Sequence, residues 1–198
     1  MRLTNKRYEE IKNETCNFLF DYDINTLPID VFDLANRMKI KIVKASELLK
    51  KYPKKLNQYI LYSYPHSYLY YDKNEQKFIV YLDDVGTKIQ RQRFSLAHEI
   101  MHIILGHIEQ NPQNEAEANF GATYLLAPTS FILIKGAYKY LMDPQIVMDI
   151  FNVSYLESKI IIGYFENRRY CDSEIEKYEN ETINRFAASL KKRLNIFK

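Results

Sequence analysis

The sequence predicts an α+β domain that is mostly helical and carries a small sheet. Stretches with helical spacing of apolar residues flank one central region where aromatic and β-branched residues alternate with polar ones. The period changes near Gln90, from about 2 to about 3.6 residues. The 198 residues, 46% of them hydrophobic, suffice for one core, and neither repeats nor a low-complexity linker interrupt them.

The elements follow in chain order. "LTNKRYEEIKNETCNFLFDY" predicts an opening helix: Tyr8, Ile11, Thr15, Phe18 and Leu19 recur near helical spacing, with Thr4 or Asn5 as the cap. In "NTLPIDVFDLANRMKIKIVKA", Pro28 suits a helix start, and Val31, Leu34, Ala35 and Met38 form one apolar face. "IKIVKA" then alternates like a strand. "YILYSYPHSYLYYDKNEQKFIVYLDD" reads as a hairpin about Asp72-Lys73-Asn74-Glu75, with Pro65 interrupting its first limb. From about Gln90, the residues Phe94, Ala97, Ile100, Met101, Ile104 and Leu105 keep helical spacing until Gly106 ends the run. "IEQNPQN" reads as a loop, and a second helix runs from about Glu115 to Leu126, stopped by Pro128. "PTSFILIKGAYKY" and "PQIVMDIFNVSYLESKIIIGYFENRR" predict further short helices. In the tail, Ile183, Phe186, Leu190 and Leu194 line one face of an amphipathic helix. Three segments follow: an N-terminal helical extension over 1–27, a domain over 28–170, and a C-terminal amphipathic helix over 171–198.

Composition excludes several functions. A net charge of +3, from 28 basic and 25 acidic residues, does not announce a nucleic-acid or membrane partner. The tyrosines at 59, 62, 64, 68, 70 and 71 lack a comb of Lys and Arg, so they suit a half-exposed sheet better than base stacking. Residues 145–166 mimic a helix-turn-helix with Ser154 as a cap, but "KIIIGYF" in the second helix suits a core better than a DNA groove. Lys191, Lys192 and Arg193 mark either a solvated basic face of a docked helix or a partner-binding arm. Cys16 and Cys171 read as free thiols of a reducing compartment. "MRLTNKRYEEIKNE" is too polar for a signal peptide, and no run reaches the length of a membrane span; a cytoplasmic protein is expected.

The chemistry concentrates in "RQRFSLAHEIMHIILGH". On a helix, His98 and His102 stand one turn apart on one face and can aim imidazole nitrogens at one ion. Glu99 lies beside them, placed to reach a water at that ion without ligating it. Core-edge histidines are the competing reading. A catalytic zinc also needs a third protein ligand and an open position. "NEAEANFGATYLLAP" supplies Glu115, thirteen residues after His102, across a stretch long enough to reverse direction. Glu117 points about 200° away from Glu115 on a helix, so both cannot face the metal. Glu115 is favoured because Ala118 and Ala122 then pack beside it. Asn119, one turn on, is placed to hydrogen-bond a ligand histidine. His107 falls off the metal face; it or a hairpin tyrosine is available as a further donor.

Together, "RQRFSLAHEIMHIILGH" and "EAEANFGATYLLAP" resemble the ImmA/IrrE family of bacterial and phage metallopeptidases. Its pattern is Arg-Phe-(Ser/Thr)-x-Ala-His-Glu-x-x-His, then Glu-x-x-Ala-Asn-x-x-Ala-x-x-Leu-Leu-x-Pro. "LPIDVFDLANRMKIKIVKA", "KFIVYLDD" and "IVMDIFNVSYLESKIIIGYF" extend the likeness over about residues 28–170. Gly121 and Ala127 depart from it at packing positions. The resemblance implies a zincin-like fold, with a small sheet or hairpin packed on the helix that carries the His-Glu-x-x-His motif. It implies His98, His102 and Glu115 as zinc ligands, with manganese the alternative metal, and Glu99 as the catalytic residue. It implies a narrow endopeptidase of a mobile element or stress response that cleaves a helix-turn-helix repressor or antitoxin-like partner. A non-catalytic module that only sequesters its regulator is the other reading, though such a binder has no use for Glu99.

Overall fold

The computed structural model describes residues 3–51, 67–170 and 175–195. Tyr59, Tyr62, Tyr64, Pro65 and Cys171 lie outside the described residues. The chain divides into two compact units, Asp30–Ile100 and a discontinuous one made of Met1–Ile29 with Met101–Lys198.

The elements are taken in chain order. Helix α1 spans Asn5–Asp21 and helix α2 Val31–Arg37. Strand β1 (Lys41–Lys44) is followed by helix α3 (Ala45–Lys51), which the alternation pattern did not predict. Strands β2 (Ser67–Asp72) and β3 (Lys77–Leu82) precede helix α4 (Ile89–Ile104) and helix α5 (Pro112–Leu126). A 3-10 turn at Thr129–Leu133 leads to α6 (Tyr138–Leu141), α7 (Pro144–Phe151), α8 (Tyr155–Tyr170) and α9 (Lys177–Asn195). The fold is α+β and mostly helical, with a three-stranded sheet.

In the Asp30–Ile100 unit, Asp30 caps α2 by accepting from the amides of Phe32 and Asp33. The sheet order is β1-β3-β2. Central β3 runs parallel to β1 and antiparallel to β2. β3 buries Ile79, Val80 and Leu82, while the edge strand β2 leaves Tyr70 and Tyr71 exposed. That exposure suits the half-exposed sheet expected of these tyrosines. The hairpin turns where the sequence placed it. The Asp72 carboxylate accepts from the amides of Asn74 and Glu75, and Gln76 takes φ 51 to re-enter the ladder.

In the other unit, Thr4 caps α1 by accepting from the Arg7 amide. Ile11, Cys16 and Leu19 of α1 are buried, and α1 packs against α5 and α9. The core is aromatic. Phe131 stacks on Phe151 at 5.9 Å, Phe186 tilts against Phe131 at 5.4 Å, and Phe165 lies 6.3 Å from Phe151. Ser154 caps α8, whose 16 residues make it longer than the short helix expected. α9 buries Phe186, Leu190 and Leu194 as the stripe implied. Thr182 and Tyr178 are buried alongside them, and Ile183 only half so. Among the described residues, no helix is long and apolar enough to cross a membrane.

Candidate metal centre

One continuous helix, α4, carries His98 and His102 a turn apart. Gly106, at φ +66, ends it, and the His107 amide donates back to the His102 carbonyl. The next helix starts three residues earlier than the sequence pattern suggested. Asn111 accepts from the amides of Gln113 at 3.0 Å and Asn114 at 2.9 Å, and Pro112 takes the first helical position. This cap sets Glu115 in the first turn of α5.

His98, His102 and Glu115 then offer one ligand atom each, all within 4.8 Å of one another. His102 Nε2 stands 3.5 Å from Glu115 Oε1. Charge-assisted hydrogen bonds run to about 2.7–2.9 Å, so this pair is spaced too widely for a strong one. Donors bound to one tetrahedral ion at about 2.0–2.2 Å lie roughly 3.4 Å apart. The His102–Glu115 pair has about that spacing, and two imidazoles with a carboxylate are a donor set suited to a borderline divalent cation such as zinc.

Glu99 is buried on the same helix, and the Ser67 hydroxyl donates to its Oε1 at 2.7 Å. Ser67 opens β2, so the sheet edge holds the carboxylate next to the first histidine in sequence. Sequence reasoning missed Ser67. A single serine in an aromatic strand carries no spacing signal.

On the far side of His102 lies a second polar group. His102 Nδ1 and His107 Nδ1 are 2.9 Å apart, and His107 Nε2 is 3.2 Å from Glu117 Oε2. Arg7 Nη2, from α1, donates to the same Glu117 oxygen at 2.6 Å, and Gln113 Nε2 donates to Glu117 Oε1 at 3.0 Å. Burial alone would raise the Glu117 carboxyl; the hydrogen bonds from Arg7, Gln113 and His107 outweigh it and hold it at about 2. The rotation that turns Glu117 away from Glu115 is what points it at His107. Asn119 is exposed on α5, and the His107 ring hydrogen-bonds His102. His107 and Glu117 share a ten-residue spacing that could have flagged them; Arg7, 110 residues from Glu117, has no local signal.

Gly121, a departure from the resembled pattern, has a packing cause. A Cβ built there would come 2.6 Å from Met101 Cε and 3.0 Å from its Cγ. Met101 of the motif helix thus occupies the volume that an alanine at 121 would need.

The family model for the IrrE N-terminal-like domain, Peptidase_M78, matches residues 35–159. No curated protein matches the chain.

Proposed function

Since the chain belongs to the IrrE N-terminal-like family of M78 peptidases, we propose that it is a zinc-dependent endopeptidase. Its target is a specific regulatory protein of the helix-turn-helix repressor or antitoxin-like kind. The observation that carries the reading is the gathering of His98, His102 and Glu115 ligand atoms within 4.8 Å, with Glu99 adjacent on the same helix. The regulator class rests on the resemblance of the two motif segments.

In this reading His98, His102 and Glu115 hold the ion, with zinc favoured by the mixed imidazole and carboxylate set and manganese the alternative. The ion supplies Lewis acidity, polarising a peptide carbonyl and making water acidic enough to deprotonate near neutrality. Glu99 accepts the proton of the attacking water and delivers it to the departing amine. Ser67 fixes the Glu99 rotamer by donating to its Oε1. Asn119, exposed on α5, is assigned in this reading to hydrogen-bond a ligand histidine.

Incubating the protein with a repressor encoded beside its gene, with and without chelator, tests the proposal. Chelator-sensitive fragments are expected. Glu99→Gln is expected to keep bound zinc, by atomic absorption, and to lose cleavage by about 10²–10⁴-fold, the usual contribution of a general base. His98→Ala and Glu115→Ala are expected to lose both. Full cleavage by the Glu99→Gln protein overturns the mechanism, and a stable uncut complex with wild type makes this a sequestering module instead.

A further inference from the structure

We propose that Arg7, Glu117 and His107 form a relay that fixes His102 as its Nδ1–H tautomer and so presents its Nε2 lone pair towards Glu115. The inference rests on the reading of His102 as a metal ligand and adds three positioning residues to it, one of them on a helix outside the matched residues 35–159.

The argument starts at the end farthest from the metal site. Glu117 is 3% exposed at its side chain, yet it is fully hydrogen-bonded as an anion. Oε2 accepts from Arg7 and lies against His107 Nε2, and Oε1 accepts from Gln113. A carboxylate flanked by an arginine has no proton to give, so every neighbour on it must donate. His107 Nε2 therefore carries a hydrogen. In a neutral imidazole the other nitrogen is then an acceptor. His107 Nδ1 faces His102 Nδ1 at 2.9 Å, so His102 must place its hydrogen on Nδ1. That leaves His102 Nε2 with its lone pair, and Nε2 is the atom 3.5 Å from Glu115 Oε1.

The opposite order shows what the relay excludes. With an acceptor absent beyond His107, its Nδ1 is free to donate, His102 Nδ1 must accept, and the hydrogen moves to His102 Nε2. That atom then points an N–H at the ion's place and cannot ligate. Metal-binding histidines commonly donate their second nitrogen to a carboxylate or carbonyl. Here an imidazole stands between, and the charge that decides the order sits two residues away, on Glu117 and Arg7. Because Arg7 belongs to α1, docking of that helix is part of assembling the metal site. His107 is a positioning residue and touches no substrate in this scheme.

Two measurements on the full chain test this. Long-range proton–nitrogen NMR correlation on histidine-labelled apoprotein reads each tautomer directly; the relay predicts Nδ1–H for His102 and Nε2–H for His107. Competition with a chromophoric chelator reads zinc affinity. His107→Ala is expected to weaken zinc about 10–100-fold, the range for groups that orient ligand histidines. Arg7→Met, at a partly exposed position and so kinder to folding, is expected to weaken it in the same direction by less. Circular dichroism confirms that each variant is folded. A His102 carrying its hydrogen on Nε2, or affinities within twofold of wild type for the folded variants, overturns the relay. Failure of the endopeptidase reading looks different: zinc affinity falls in the variants while wild type cleaves nothing.

Discussion

Cys16 is a residue whose surroundings change its chemistry. It is fully buried on α1, where the Thr182 hydroxyl donates to its Sγ at 3.0 Å and the Tyr124 hydroxyl lies at 3.6 Å. Burial pushes the thiol from 9.0 up to about 11, with the hydrogen bonds of Thr182 and Tyr124 pulling back only in part. Because the native thiol holds its proton where the unfolded one has lost it, stability falls as pH rises from 9.0 towards about 11. In a Cys171→Ser background, Cys16 is expected to react with Ellman's reagent at pH 8 only as fast as the protein opens. Melting temperatures across pH 9–11 are expected to fall more steeply than in Cys16→Ala. Immediate labelling of the native thiol contradicts this account. Legibility at this scale depended on distance along the chain. His98 and His102 were readable as a pair because helical period is local. The Arg7–Glu117 contact was not, because nothing in a sequence pattern links residues 110 positions apart.

At the scale of elements, the caps decide where the site residues stand. Asn111 holds the first turn of α5, and Glu115 sits in that turn. Asn111→Ala is expected to cost about 1 kcal/mol of stability, seen as a lower thermal midpoint, and to weaken binding of the proposed metal by loosening Glu115. An unchanged midpoint would show that Pro112 and packing alone hold the helix start. The hairpin was legible because Asp72 and its neighbours are turn formers between alternating runs. The parallel pairing of β1 with β3 was not, since a crossover leaves no period of its own. The start of α5 was misplaced because its first turn, Pro-Gln-Asn, has no apolar residue to reveal a period, although the Asn-Pro pair is itself a helix-start signal.

At the scale of the whole molecule, the C-terminal helix is held by a charge pair inside the core. Arg168 of α8 meets Glu179 of α9 bidentately, both bonds at 2.8 Å, with side chains 6% and 2% exposed. Removing one partner strands a buried charge, so Arg168→Met is expected to cost about 3–5 kcal/mol. Arg168→Met combined with Glu179→Leu is expected to cost less than Arg168→Met alone, measured by denaturant unfolding. A double variant at least as damaged as the single would show that the pair stabilises by more than mutual neutralisation. The Tyr178 hydroxyl also donates to Glu9, and the Leu27 amide donates to Ser189, so α9 closes over the opening segment of the chain.

The discontinuous unit has a consequence in time. As a polypeptide emerges from the ribosome, contiguous segments find their partners first. Residues 30–100 are contiguous and can condense as soon as they are out, whereas α1 must wait for residues beyond 101. The nascent chain therefore carries an unpaired amphipathic helix through the synthesis of more than seventy residues. Chaperone engagement is expected to centre on α1 during that interval. In the proposed relay, the contact of Arg7 with Glu117 likewise cannot form until residue 117 has emerged.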